Sequence, residues 1–184
     1  MTIDNICIAE YFSLEDTEKY DIYIDHIAPE NLLCGRKCNT ANLTFDEVQV
    51  ARSILANPNA NDLMELYIML FRIKGSMQMS EQEMFLRESV FQLFRAARFI
   101  REYIEGVNKK ETEWLGGNEN GILTMLDAGK RLAPFSHLLK KMDIAQMFAR
   151  TPSEIGRWKY STIFSILAST QVRADIQKEY NEIK

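Results

Sequence analysis

Three cysteines and two histidines are the residues of this chain best suited to ligating a metal or attacking a substrate. Cys34 and Cys38 lie on one short stretch, Cys34-Gly35-Arg36-Lys37-Cys38. Cys7 and His26 would complete a set of three sulfurs and one nitrogen, which suits tetrahedral zinc. The pair is more widely spaced than the common C-x2-C and no second pair follows, so the thiols read as buried or incidental and no metal is expected. Cys7 stands between Ile6 and Ile8, where a small apolar thiol suits a strand. Neither His26 nor His137 falls in a pattern that assembles a Ser-His-Asp or Cys-His arrangement. Glu47, Glu83 and Glu154 each follow a Thr or Ser by three residues, the spacing of a helix capping box, so their chemistry is spent on helix starts. Gly116 to Gly121 lacks the lysine and the preceding strand of a phosphate loop. No enzyme and no cofactor are expected.

The nine methionines suggest a different chemistry. Met69, Met77, Met79 and Met84 gather near Phe71 and Phe85, and flexible thioethers either fill irregular cores or serve adaptable surfaces. On the second alternative Met77, Met79, Met84 and Phe85 line a groove for an apolar partner segment, with Trp158 and Phe164 as a second candidate surface.

The balance of the chain fits one globular domain. It has 184 residues, 46% hydrophobic and 26% charged, with a net charge of −4. That charge argues against nucleic-acid binding by bulk electrostatics, and Arg95, Arg98 and Arg101 are offset by Glu102, Glu105, Glu111 and Glu113. No apolar run reaches the ~18–20 residues of a membrane span, and no secretory signal opens the chain. The cytoplasm is the expected compartment.

The elements that must position these residues are mainly α. Residues 1–43 are expected as a strand-and-loop segment packed on the main body, with strands at Ile6–Phe12 and Asp21–Asp25 drawn from β-branched and aromatic runs. Residues 44–184 are expected as a helical domain. Its organiser is one long central helix from Ser80 to Trp114, ~50 Å at 1.5 Å per residue, capped by Ser80 and Glu83 and stopped by Gly116-Gly117. Val90, Leu93, Phe94, Ala97, Ile100, Ile104, Val107 and Trp114 form its apolar stripe. Helices are also expected from Thr44 to about Asn57, with Leu43 and Val48 as a hydrophobic staple, and from Asn61 to Ile73. Shorter ones follow at Ile122–Leu132, Phe135–Lys141, Ile144–Phe148 and after Thr151, with Tyr160–Leu167 and Val172–Ile183 closing the chain. No internal repeat is evident.

Several of these segments resemble a loosely defined group of bacteriophage tail assembly chaperones. Leu43-Thr-Phe-Asp-Glu-Val48 is similar to the opening of their first helix, and Phe94 to Trp114 to their long helix. Pro152-Ser-Glu-Ile-Gly-Arg-Trp-Lys-Tyr160 with Ile163-Phe164, and Val172 to Lys178, resemble their later segments. The resemblance implies a non-enzymatic chaperone that covers a tape-measure-like helical protein while a tail is built. The rival readings are a structural virion component, such as a head-to-tail adaptor ring subunit bound to neighbouring copies, and a small inhibitor of a host protein. No nucleic-acid or membrane partner is expected, and a homo-oligomer is compatible with each reading.

One test follows from the stripe. Ile104→Asp places a charge without a partner in the core and is expected to cost ~3 kcal/mol or more of stability, read as a lowered denaturant midpoint; a wild-type midpoint would show that Ile104 is not core.

Overall fold

A computed structural model describes residues 6–15, 17, 23–115, 131 and 135–183. Helix dominates them: α1 (Ile8–Phe12), α2 (Phe45–Ala56), α3 (Ala60–Phe71), α4 (Glu81–Leu86), α5 (Val90–Leu115), α6 (Ser136–Met147), α7 (Pro152–Gly156) and α8 (Tyr160–Ile183). The mainly α expectation holds, and the β-containing N-terminal segment does not. Ile8–Phe12 is helical, as is the backbone of Tyr23–His26, while Asp21 and Ile22 lie outside the described residues. Among the described residues β-pairing is limited to isolated bridges. The helix expected at Ile122–Leu132 falls outside them except for Arg131. Among the described residues no helix is long and apolar enough to cross a membrane.

The chain divides into two compact units, which do not follow a boundary at residue 43. One comprises residues 1–40 and 50–106, the other residues 41–49 and 107–184. Each is built around the same backbone clasp.

In the first unit the expected long helix is interrupted. Ser80 caps as anticipated, accepting from the Glu83 N–H (3.2 Å) while Glu83 accepts from the Ser80 N–H (2.7 Å), but the helix it starts ends at Leu86. The cause lies near the N-terminus. The Ile8 N–H donates to the Glu88 carbonyl (2.9 Å) and the Val90 N–H donates to the Ile6 carbonyl (3.0 Å), an antiparallel bridge of Cys7 with Ser89. Backbone groups spent on that bridge are lost to a continuous helix. Ile6, Ile8, Phe85 and Val90 are buried around it, and Tyr11 meets Phe94 edge-on at 5.4 Å. The expected stripe is buried from Val90 to Val107 except for the half-buried Ala97, and Trp114 is 52% exposed.

The second unit repeats the device. The Phe45 N–H donates to the Trp158 carbonyl (2.9 Å) and the Tyr160 N–H to the Leu43 carbonyl (2.8 Å), bridging Thr44 with Lys159. Leu43, Phe45, Ile155 and Ile163 are buried around it, and Phe45 stacks on Tyr160 at 6.4 Å. Ile6, Cys7, Ile8, Glu10 and Tyr11 thus correspond to Leu43, Thr44, Phe45, Glu47 and Val48. In each segment the glutamate accepts from the N–H of the capping residue, both at 2.9 Å. Ser80, Glu83, Phe85, Ser89 and Val90 likewise correspond to Thr151, Glu154, Ile155, Lys159 and Tyr160. The preceding helices also end alike, each at a non-glycine residue in the left-handed region. Arg72 (φ 51°) follows α3 and Ala149 (φ 50°) follows α6. Each is closed by an N–H five residues on from its carbonyl, Ile73 to Ile68 (3.1 Å) and Arg150 to Ala145 (2.9 Å). The absence of an internal repeat, read from the sequence, is therefore corrected: the two units share one plan.

The copies differ by one residue in the capped helix, six in α4 against five in α7, and by a longer piece at the junction before it. Arg150 alone separates Ala149 from Thr151, whereas residues 73–79 separate Arg72 from Ser80, so the first unit carries an added loop at 74–79. In the second unit Gly156 permits a close approach, since a Cβ there would sit 2.0 Å from Asp46 Oδ2, a carboxylate that Lys141 Nζ contacts at 2.7 Å. The pieces expected at Phe135–Lys141 and Ile144–Phe148 form the single helix α6, and those at Tyr160–Leu167 and Val172–Ile183 the single helix α8.

The caps make a pH-dependent contribution with a definite sign. Glu83 and Glu154 are held below the ordinary carboxyl value of 4.5, first by the backbone N–H groups of Ser80 and Thr151 and then by their hydroxyls. A folded value below the unfolded one stabilises above the unfolded value, and that gain is lost as pH falls through the folded value. The melting-temperature deficit of Glu154→Gln, present at neutral pH, is accordingly expected to close as pH falls below 4.5; a deficit independent of pH would contradict it. Ser80→Ala is expected to cost ~1 kcal/mol. A cost no larger than for the exposed Ser161→Ala would contradict that cap.

Candidate protein-protein interfaces

Cys34 and Cys38 are held in local structure. Cys34 (φ 48°) and Gly35 (φ 68°) are the two central residues of a tight turn closed by Leu33 N–H to the Arg36 carbonyl (2.9 Å) and Arg36 N–H to the Leu33 carbonyl (2.8 Å). The Cys34 N–H donates to Glu88 (3.0 Å), which also accepts from the Ser89 N–H (3.0 Å). Burial, then the Glu88 charge, pushes the Cys34 thiol up to about 12. Cys38 is buried, and its backbone pairs twice with the Asn31 amide, at 2.7 and 2.9 Å. Among the described residues no group of three or more His, Cys, Asp or Glu is arranged to hold a metal ion, so Cys7, His26, Cys34 and Cys38 do not assemble. Both histidines are exposed.

Arg95, Arg98 and Arg101 bind the segment before Leu33. Arg95 pairs with Glu30, Arg101 with Asp25 (3.0 Å), and Arg98 donates to the Ile27 carbonyl (2.8 Å).

The methionine surface separates into parts. Met77 stands fully exposed at the tip of the added loop, and Met79 and Met84 are half-buried. The loop is braced from within, with Ser76 N–H donating to the Met79 carbonyl (2.8 Å) and Ser76 Oγ accepting from the Gln78 and Met79 N–H groups (3.3 and 3.2 Å). Gly75 fits where a Cβ would fall 2.8 Å from the Met79 carbonyl oxygen. Phe85 is fully buried and stacks on Tyr67 at 6.4 Å, so it serves the core and lines no surface groove. In the second unit Trp158 is half-buried, edge-on to Phe148 at 5.4 Å, and the half-buried Phe164 stacks on Tyr160 at 6.3 Å. Met77 and Phe85 therefore do not form one face.

One exposed apolar row on α6 is a feature that sequence reasoning missed. Phe135, Leu138, Leu139 and Met142 recur at helical spacing along α6 and are 55, 42, 36 and 50% exposed. On the opposite side of the same helix Ile144 is buried, and Ala145, at the flank of the exposed row, is buried too. A helix with one apolar stripe in the core and a second in solvent is the arrangement of a docking face. The spacing was visible, but periodicity does not say which of two stripes the rest of the chain covers.

Comparison of the chain with protein-family models, with curated proteins and with solved structures finds no match.

The thiol environment is testable. With its ionisation pushed up to about 12, Cys34 is expected to react with iodoacetamide at pH 8 orders of magnitude more slowly than a free cysteine, by site-resolved mass spectrometry. Labelling at the rate of free cysteine would contradict the burial of the thiol beside Glu88.

Proposed function

We propose that this protein is a non-enzymatic binding protein that holds an amphipathic helical segment of another protein on the exposed face of α6. The observation that carries the reading is the row Phe135, Leu138, Leu139 and Met142, left in solvent on a helix already anchored by Ile144 and Ala145. Such a face receives apolar residues at i, i+3, i+4 and i+7 of a partner helix, and Met142 lends it tolerance of sequence. The exposed Met77 on its braced loop offers a second contact of the same adaptable kind. The resemblance to tail assembly chaperones supplies the biological setting: a long tape-measure-like helical protein whose apolar faces would aggregate unless covered during tail assembly. Met77, Met79, Met84, Trp158 and Phe164 remain partner contacts in this reading, and Phe85, buried in the core of the first unit, is not one of them.

The experiment uses a synthetic amphipathic helix of leucine and lysine heptads as probe. Wild type is expected to bind it, and Leu138→Asp with Met142→Asp to weaken binding by about tenfold or more with an unchanged melting temperature. No binding by wild type, or equal binding by the variant, would contradict the assignment. A fixed, concentration-independent oligomer of many subunits in light scattering would favour the virion-subunit reading instead.

A further inference from the structure

We propose that residues 25–32 are a releasable strap, and that the row of donors they occupy on α5 fits an acidic, extended segment of a partner protein. The strap runs antiparallel to the helix. Asp25 meets Arg101 (3.0 Å), Arg98 donates to the carbonyls of Asp25 and Ile27, Arg95 donates to the Ala28 carbonyl (3.3 Å), and Gln92 donates to the Leu32 carbonyl (2.7 Å). The Glu30 carboxylate pairs with Arg95, and the Glu30 N–H donates to the Arg95 carbonyl (3.1 Å). Donors thus recur every third residue over ~14 Å of helix. They read mostly main-chain oxygen, and only the carboxylates of Asp25 and Glu30 are read as side chains. That is recognition of extended backbone bearing two negative charges, with little demand on the rest of the sequence.

What holds the strap is weak. No residue from Tyr23 to Leu32 is buried, and the first buried side chain is Leu33. The side chains of the Arg95–Glu30 pair are 30 and 33% exposed and those of the Arg101–Asp25 pair 48 and 69%. Exposed ion pairs contribute little and are screened by salt. The Asn31 amide, paired twice with the Cys38 backbone, ties the end of the strap next to Leu33, while the Asp25 end has only exposed contacts with Arg98 and Arg101. A segment with no buried apolar anchor and hydrogen bonds that are exposed or part-buried belongs to the part of a protein that opens locally, well below global unfolding. Lifting it leaves Gln92, Arg95, Arg98 and Arg101 on a helix whose opposite face, Leu93, Ala96 and Ile100, stays in the core. The proposal does not rest on what α6 binds.

The test has two readings. In hydrogen exchange of the wild-type protein, the Glu30 amide is expected to exchange at least about tenfold faster in ~0.5 M salt than in low salt, while core amides of α5 are unchanged. A fluorescent peptide of residues 23–33 is expected to bind Asp25→Asn, Glu30→Gln protein at least about tenfold more tightly than wild type, because the tethered strap no longer competes. Adding Arg98→Ala and Arg101→Ala to that protein is expected to abolish binding. Exchange of the Glu30 amide only with global unfolding at every salt concentration, or no peptide binding to the strap variant, would overturn the proposal.

Discussion

Four main-chain hydrogen bonds fix how this chain folds. In each unit the residue after a helix cap gives its N–H to a carbonyl at a helix break, and the residue before that cap accepts at its carbonyl from the N–H two residues further along the break: Ile8 to Glu88 and Val90 to Ile6, Phe45 to Trp158 and Tyr160 to Leu43. The bonds lie among buried side chains, so leaving any of these polar groups unpaired would carry a desolvation cost of ~1–3 kcal/mol. That cost makes the break between α4 and α5 a requirement. A straight helix through Arg87–Ser89 would satisfy its own ladder and strand the backbone of Ile6 and Ile8. The same logic places Trp158 and Lys159 between α7 and α8.

Around these clasps, several charged groups and one thiol hold structure. The glutamates close caps, the arginine row of α5 holds residues 25–30, Glu111 accepts from Tyr160 Oη (2.7 Å) and Lys140 (3.3 Å), and the Cys34 thiol is kept protonated beside Glu88. What the fold leaves over is surface: an apolar row on α6, an exposed methionine on an added loop, and a polar row beneath a weakly held strap. Those are the materials of reversible protein binding, and the proposed function follows from that division.

The parts of the fold legible in the sequence were the local ones. Thr44–Glu47, Ser80–Glu83 and Thr151–Glu154 depend on residues three apart, and the α5 stripe depends on a single period, so both could be read without tertiary knowledge. The break at Arg87–Ser89 could not, because its cause is Ile6–Ile8, some eighty residues away in the chain. The same distance explains the strand expected at Ile6–Phe12. The isoleucines there are β-branched because they flank a bridge of one residue pair, after which Glu10 turns the chain into helix. The duplication was hidden by its order, with both clasp segments preceding both helical bodies and few identities beyond the caps. Among the candidate site residues, Met77 was open between core filler and surface contact because composition does not report exposure, Phe85 was misread because periodicity near a break no longer reports the buried face, and the α6 row was missed because periodicity does not say which positions the rest of the chain covers.

The most direct test of the duplicated clasp is native-state hydrogen exchange at the amides of Ile8, Val90, Phe45 and Tyr160. All four are expected among the most protected in the protein, exchanging with the unfolding of their unit although each sits at the edge of a helix, where fraying would ordinarily expose it. Fast exchange at Ile8 and Phe45, at the rate of helix ends such as Ile183, would contradict the account.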